Sequence, residues 1–86
     1  MQISYSPVFR KRYKKLRKEV KLQAIKKEVL FRKNPFEPSL GTHKLHGRME
    51  GLRAFWINKK YRIIFEFESE NVVKFHTVGT HDEVYD

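Results

Sequence analysis

With 86 residues, the chain has room for one small domain, near the lower size at which a hydrophobic core is stable without metals or disulfides, and we expect one domain over residues 1–86. It has no cysteine, which excludes disulfide bonds and thiolate metal sites, and no apolar run approaches the about 18 residues that a membrane span needs. We therefore expect a cytoplasmic protein that does not associate with a membrane.

The formal net charge is +9, and the positive charge is concentrated early in the chain. Residues 1–34 hold 12 Lys and Arg against 2 Asp and Glu, whereas residues 66–86 hold 1 against 6. Such a surface attracts nucleic acid, acidic protein segments or anionic lipid. It is equally typical of a helix whose lysines only face solvent, so composition leaves the partner open.

The first half of the chain is predicted to form a short strand and two helices. Ile3 and Tyr5 alternate with polar residues, as in a strand, and Ser6-Pro7 then supplies an N-cap and a first helical residue. One apolar stripe at helical spacing is formed by Phe9, Tyr13, Leu16 and Val20. A second stripe, out of register with the first, is formed by Leu22, Ile25 and Val29. The change of register indicates either a second helix or a bend near residues 17–21, and we favour two helices. The prolines after Asn34 end the helical region.

The second half of the chain is predicted to form an antiparallel meander. Residues 53–57, 61–68 and 72–78 are rich in aromatic and β-branched residues and are separated by short polar connections. In the middle strand, alternate residues form an apolar face that should pack on the helices: Tyr61, Ile63, Phe65 and Phe67. Arg62 then points to the opposite face, where a ligand can reach it. The expected fold is α+β, with a short N-terminal strand, a two-helix hairpin and a three-stranded meander that joins the first strand in a small twisted sheet.

Three short motifs follow in a fixed order: His43-x-Leu45-x-Gly47-x-x-x-Gly51, Tyr61-Arg62-Ile63-Ile64-Phe65 and Gly79-Thr80-His81-Asp82-Glu83-Val84-Tyr85. Together with the order of the elements, they resemble the RelE/ParE superfamily of bacterial and archaeal toxins, and they are most similar to its RelE and YafQ-type branch. The resemblance implies a toxin of a type II toxin-antitoxin system that inhibits translation by cutting messenger RNA on the ribosome. It also implies an antitoxin that holds the toxin inactive.

RNA cleavage without a metal needs a base for the 2′-hydroxyl, donors for the charged phosphate and an acid for the leaving 5′-oxygen. The resemblance assigns the acid to His81 and the phosphate contact to Arg62, whose planar fork suits phosphate oxygens. His43 is the first candidate for the base, and His46 is the second. Tyr85 matches an aromatic residue that stacks on a base or orients the nucleophile. We expect no metal and no other cofactor.

Each of these residues also has a purely structural interpretation. His81 is then a surface residue, Tyr85 an anchor of the chain end, and His43 a loop residue packed under the sheet edge. Arg62 is then paired with an acidic residue of its own strand, Glu66 or Glu68. His76, on a predicted strand, is interpreted as structural or simply exposed.

Further basic residues are expected to contact RNA. Some lie near the expected site, namely Lys44, His46, Arg53, Lys59 and Lys60. Others lie on the first helices and would rest against ribosomal RNA, namely Arg10, Lys11, Lys14, Lys15 and Lys18. The alternative for these residues is that they only maintain solubility.

Two features depart from the pattern of the resembling toxins. Trp56 occupies a position where relatives often carry an arginine or histidine, and an aromatic residue in a strand of a small domain more often belongs to the core than to a base-binding site. The acidic residues Asp82, Glu83 and Asp86 lie beside His81, where they either favour its protonated form or repel the substrate.

Two other functions remain open at this point. One is a ParE-like poison of DNA gyrase, and the other is a catalytically inactive module of the same fold that binds RNA or the ribosome. Whether the toxin cuts messenger RNA or poisons gyrase, the expected partner is an acidic or amphipathic antitoxin that folds as it binds.

Overall fold

The computed structural model describes residues 1–85, and Asp86, one of the three acidic residues noted above, lies outside them. Its helices and strands follow in the order β1 (Gln2–Tyr5), α1 (Pro7–Lys14), α2 (Lys18–Lys33), β2 (His43–Lys44), β3 (Arg53–Trp56), β4 (Tyr61–Ser69), β5 (Val72–Thr80) and α3 (His81–Tyr85). Single 3₁₀ turns lie at Pro38–Leu40 and Gly47–Met49. No helix among residues 1–85 is long and apolar enough to span a membrane.

The start of α1 is fixed by Ser6, as the sequence predicts. The Ser6 hydroxyl accepts a hydrogen bond from the backbone N–H of Phe9 at 3.0 Å and donates one to the carbonyl of His76 at 2.6 Å. The first bond satisfies a free N–H of the helix, and the second ties the helix to β5. Pro7 occupies the first turn, where its missing N–H costs nothing.

The prediction of two helices is confirmed, but the second apolar stripe is not the buried face of α2. The side chains of α2 that lie in the core are Val20, Ala24 and Phe31. The residues of the stripe, Leu22, Ile25 and Val29, are 52 %, 52 % and 50 % exposed. Because both sets recur at helical spacing, periodicity alone does not tell which of them faces the sheet.

The sheet has the strand order β1-β5-β4-β3-β2, with β1 parallel to β5 and the other neighbours antiparallel. It therefore contains the predicted meander and first strand, with β2 as an additional edge strand. The two residues of β2 pair with β3, so that His43 lies opposite Ala54 and Lys44 opposite Arg53. The sequence does not predict β2, since two residues give no alternation.

The main core lies between the helices and one face of the sheet. Phe31 of α2 is fully buried, and its ring centroid lies 4.8 Å from that of Phe55, 4.9 Å from Phe65 and 5.5 Å from Phe75. These are stacked and edge-to-face arrangements, which aromatic rings prefer. The apolar face predicted for β4 is the face that packs on the helices, since Ile63 and Phe65 are in this core.

A second, smaller cluster lies on the opposite face of the sheet. Its buried residues are Leu45, Ala54, Ile64 and Val84, with Met49, Leu52 and Tyr85 packed against them. The segment around the second 3₁₀ turn and α3 together cover this part of the sheet. Ile64, predicted on the same face as Arg62, is fully buried beneath them.

A β-bulge changes the alternation of β5. Ile64 pairs with Thr77 and Phe65 with Phe75, so that His76 is an extra residue on β5. As a result, Val78 rather than Thr77 enters the main core. The bulge also places Gly79 opposite Arg62.

The strand β1 is tied to α2 by a polar contact at the sheet edge. The Tyr5 hydroxyl donates to Glu28 at 2.5 Å, and Arg32 lies 3.3 Å from the same carboxylate. Burial raises the pKa of Tyr5, and the negative charge of Glu28 adds to that increase. The phenol therefore stays protonated and serves as the donor in this contact.

Candidate active site

The β3–β4 hairpin carries an arginine and a tryptophan side by side on the sheet face away from the main core. Trp56 and Arg62 are cross-strand partners, and the guanidinium carbon of Arg62 lies 5.6 Å from the centre of the indole. This separation is within the range of a cation–π contact. Trp56 is 42 % exposed, so the expectation that it belongs to the core is wrong. Side chains alternate along β3, so Trp56 points to the face away from its buried neighbours Phe55 and Ile57.

Arg62 is held in place by the backbone of its own hairpin. Its Nη1 atom donates to the carbonyls of Asn58 at 2.8 Å and Lys59 at 3.0 Å. The Asn58 side chain in turn accepts hydrogen bonds from the N–H groups of Lys60 and Tyr61, both at 2.8 Å, which closes the turn. One nitrogen of the guanidinium is thus used to fix the group, and the fork is oriented before any ligand arrives.

Within residues 1–85, Arg62 forms no ion pair with Glu66 or Glu68. The alternative that Arg62 pairs with an acidic residue of β4 is therefore wrong. Glu66 instead lies 2.8 Å from His76 Nε2. His76 is therefore structural, which is one of its two predicted interpretations.

His81 and Tyr85 are brought together by α3, a helix that was not predicted. They are four residues apart and share one side of the helix, with ring centroids 4.4 Å apart. The backbone N–H of His81 donates to the carbonyl of Lys60 at 3.2 Å, which joins α3 to the hairpin that carries Arg62. Burial raises the pKa of Tyr85, while the charge of nearby Arg62 acts in the opposite direction. The phenol of Tyr85 is therefore a donor at neutral pH.

The start of α3 is a capping box. The carboxylate of Glu83 accepts from the backbone N–H of Thr80 at 2.7 Å, and the Thr80 hydroxyl accepts from the N–H of Glu83 at 3.3 Å. These bonds lower the pKa of Glu83, and the bond from the Thr80 backbone N–H has the larger effect. A Cβ atom on Gly79 would lie 2.9 Å from the Glu83 carboxylate, so glycine gives this side chain room to fold back. The pattern Thr80-x-x-Glu83 is a sequence signal for a helix start that would have predicted α3.

His43 lies at the far edge of the same sheet face. It is exposed and pairs with Ala54, and cross-strand partners in an antiparallel pair point to the same side. Its Nδ1 atom lies 2.8 Å from the carbonyl of Gly41. A carbonyl only accepts, so Nδ1 carries the proton and the neutral ring keeps Nε2 as an acceptor. His43 is not packed under the sheet edge, which was its structural alternative.

Gly41 connects His43 to Trp56. A Cβ atom on Gly41 would lie 2.5 to 2.6 Å from three carbons of the indole, and its φ angle is +60°. The indole is thus pressed against a stretch of backbone that only glycine allows. His43, Trp56, Arg62, Tyr85 and His81 consequently form a continuous strip across one face of the protein.

His46 and Tyr85 line the same cavity. A cavity of about 370 Å³ is lined by His46, Arg48, Met49 and Tyr85. His46 therefore lies near Tyr85 at one end of the strip. Arg48 is an exposed cation at this cavity that the sequence analysis missed.

The basic residues near the strip come from the hairpin and the connection between α1 and α2. Lys59, Lys60 and Arg17 line a depression of about 400 Å³, and Lys15 and Arg17 line another that reaches Glu83. Arg17 was not singled out from the sequence. Other basic residues of the helices lie elsewhere, since Arg10 and Lys14 line a groove with Tyr5 and Glu28 on the helical side.

Two residues expected to contact RNA lie on the opposite side of the sheet from the strip. The guanidinium carbon of Arg53 lies 5.1 Å from the ring centre of Phe67 and 6.0 Å from that of Phe36, where it covers the edge of the main core. Lys44, the cross-strand partner of Arg53, points to the same side. The strip and these two residues do not form one surface.

Within residues 1–85, no three His, Asp or Glu side chains converge in a cluster able to hold a metal ion. The strip offers chemistry of another kind. It presents an imidazole acceptor, a fixed guanidinium and a second imidazole whose ring contacts a phenol. Such a set can take a proton, bind a phosphate and return a proton.

The fold is that of solved toxin structures. The crystal structure of YafQ from E. coli strain BL21(DE3) matches with a TM-score of 0.83 at 21 % identity, covering 99 % of this chain and 98 % of that chain. The E. coli DinJ-YafQ toxin-antitoxin complex gives 0.75 at 22 % identity, covering 99 % and 97 %. The YoeB/ParE toxin from Agrobacterium tumefaciens gives 0.79 at 14 % identity, covering 94 % and 99 %.

A comparison with curated protein sequences gives no significant match. The family model of YafQ, described as a bacterial toxin of type II toxin-antitoxin systems, matches residues 1–86, which is the whole chain. This protein therefore belongs to the YafQ family of type II toxin-antitoxin toxins.

Proposed function

We propose that this toxin is an endoribonuclease that cleaves messenger RNA on the ribosome without a metal ion. Inhibition of translation by cleavage of messenger RNA is the role of the family. The observation that carries the proposal is the strip itself, because His43, Arg62 and His81 share one accessible side of the sheet. The RelE/ParE superfamily also includes poisons of DNA gyrase, but an imidazole pair beside a fixed guanidinium supports phosphodiester chemistry.

In the proposed reaction, Nε2 of His43 takes the proton of the ribose 2′-hydroxyl, because Nδ1 is engaged with the Gly41 carbonyl. The oxygen then attacks the neighbouring phosphorus. The unengaged part of the Arg62 fork binds the phosphate oxygens and stabilises the added negative charge. DNA lacks this hydroxyl and is not a substrate for such a step.

His81 protonates the leaving 5′-oxygen as that bond breaks. Its exposed carboxylate neighbour Asp82 lies 3.6 Å from Nδ1 of this ring. Tyr85 keeps the imidazole in place by ring contact and remains protonated because it is partly buried. Lys59 and Lys60 extend the positive surface at the hairpin, and their contribution is expected to weaken with salt.

Cleavage of ribosome-bound message in the presence of a chelator tests the proposal. We expect His81→Ala and Arg62→Gln to lose at least about 100-fold in rate, as general acid catalysis and phosphate stabilisation each contribute on that scale. His76→Gln is the matched histidine control, because the His76 ring is engaged with Glu66 and has no role in the proposed reaction. Gyrase-dependent DNA breaks with intact message would contradict the proposal. Salt-sensitive RNA binding without cleavage would also contradict it and would favour an inactive RNA-binding module.

We propose further that an acidic, amphipathic segment of the antitoxin covers the exposed stripe of α2. Leu22, Ile25 and Val29 are each about half exposed and lie on successive turns of a helix rich in lysine. In E. coli, YafQ forms a complex with DinJ. An antitoxin with acidic residues beside an apolar stripe would complement this surface.

Binding of the cognate antitoxin provides the test. Ile25→Glu should weaken its binding about tenfold or more, because a carboxylate is placed in the apolar contact. Val8→Glu is the control, since Val8 is also 52 % exposed but lies on α1. Equal effects of the two substitutions would exclude the stripe as the contact surface.

A further inference from the structure

Trp56 is the only tryptophan of the chain, and the structure gives it an unusual environment. A single exposed apolar residue is ordinary on a protein surface, but this one is held from beneath. The backbone of Gly41 lies so close that a Cβ atom there would be 2.5 Å from the ring. The indole therefore has a fixed orientation although 42 % of the residue is exposed.

The neighbours of the indole are positively charged. The guanidinium of Arg62 lies 5.6 Å from the ring centre, and Lys59 and Lys60 are exposed at the end of the same hairpin. A flat aromatic surface beside cations that bind phosphate matches the two parts of a nucleotide, its base and its phosphate. An apolar protein segment would use the ring but not the cations.

We propose that the indole of Trp56 is a stacking platform for a nucleobase of single-stranded RNA, next to the phosphate bound by Arg62. This inference rests on the proposed function for the identity of the phosphate. Gly41 is then required to hold the indole in place. Because Arg62 lies beside the indole, one nucleotide can place its phosphate on Arg62 and its base on Trp56. Since every base has a π face, the platform accepts all four bases.

Fluorescence provides a direct test because Trp56 is the only indole. The probe is a short single-stranded oligonucleotide with 2′-O-methyl riboses, which cannot be cleaved through the 2′-oxygen. We expect it to quench the fluorescence on binding. A matched probe with abasic residues should still bind through its phosphates but should quench little and bind about tenfold more weakly.

Two substitutions of Trp56 separate stacking from an effect through Arg62. Trp56→Phe keeps an aromatic face and should retain most of the preference for the base-containing probe, measured by fluorescence anisotropy of a labelled probe. Trp56→Leu should bind both probes equally. If Trp56→Leu still prefers the base-containing probe as strongly as the wild type, the platform is excluded.

Glycine substitutions test the support of the ring. Gly41→Ala should displace the indole, shift its emission and reduce binding of the base-containing probe. Gly51→Ala is the control, because Gly51 also has a positive φ of +90° but no atom lies within 4 Å of its added Cβ. Equal effects of the two variants on binding would overturn the role of Gly41.

The inference and the proposed function can fail separately. Base-dependent quenching in a protein that cleaves no message would uphold the platform and reject the nuclease. Normal cleavage by Trp56→Leu, with unchanged KM and no base-dependent quenching in the wild type, would reject the platform and leave the nuclease.

Discussion

The two faces of the sheet differ in how completely they are covered by other parts of the chain. The face toward the helices is covered by α1 and α2 and buries a set of phenylalanines in stacked and edge-to-face contact. The other face is covered only in part, by a small cluster around Ile64, and its remaining surface holds Trp56, Arg62 and the two site histidines. One face therefore supplies stability, and the other keeps polar side chains accessible at fixed positions.

The largest expected effect concerns the helix-side face. Phe31→Ala should lower the free energy of unfolding by about 3–5 kcal/mol, because it removes a fully buried ring and leaves a cavity. Urea denaturation measures the loss. Phe36→Ala is the control, since Phe36 is 57 % exposed, and should cost less than about 1 kcal/mol. Similar losses for the two would show that the core is not where the structure has it.

Two adjacent isoleucines of β4 compare the faces directly. Ile63 lies in the main core and Ile64 in the small cluster, and both are almost fully buried. Ile63→Val and Ile64→Val should each cost about 0.5–1.5 kcal/mol in denaturant. Only Ile64→Val should also slow RNA cleavage, because its cluster supports Tyr85. Equal cleavage rates in the two folded variants would contradict a division of labour between the faces.

The capping box of α3 makes the free energy of unfolding depend on pH through Glu83. The pKa of Glu83 is lowered in the folded state by its bonds to Thr80, so this carboxylate adds stability above the ordinary Glu pKa of about 4.3 and loses it as the pH falls through the folded-state value. The wild type should therefore lose more free energy of unfolding between about pH 6 and about pH 3 than Glu83→Gln does. Glu70→Gln, at the exposed β4–β5 turn, should behave as the wild type. A Glu83→Gln curve parallel to that of the wild type would exclude the effect.

The smallest expected effects compare basic residues on the two faces of the sheet. Arg53→Gln removes contacts with Phe67 and Phe36 and should cost about 0.5–1 kcal/mol of stability, with little loss of RNA affinity. Lys60→Gln should do the reverse, since Lys60 is exposed beside the strip. Denaturation and RNA binding at two salt concentrations check both variants. The comparison of faces fails if Arg53 proves the more important residue for RNA.

Much of the fold was predictable because it depends on local signals. Ser6-Pro7 marks the start of α1, Asn34-Pro35 marks the end of α2, and the alternation of residues 61–67 indicates which side of β4 faces the helices. Local signals were not sufficient where two of them share one period or where a segment is too short. The stripe of Leu22, Ile25 and Val29 has the same period as the buried face of α2, and β2 has only two residues.

The roles of His43, Arg62, His81 and Tyr85 remain proposals that began with a family resemblance. The sequence by itself determined the basic charge, the longer helices and strands and the presence of these side chains, because charge and periodicity are properties of the chain alone. Only the tertiary structure decided that Trp56 joins them while Lys44 and Arg53 turn away, and that α3 carries His81 against the hairpin. The physical reason is that side-chain proximity depends on strand register, the bulge in β5 and the approach of Gly41 to the indole, and these are contacts between residues far apart in sequence.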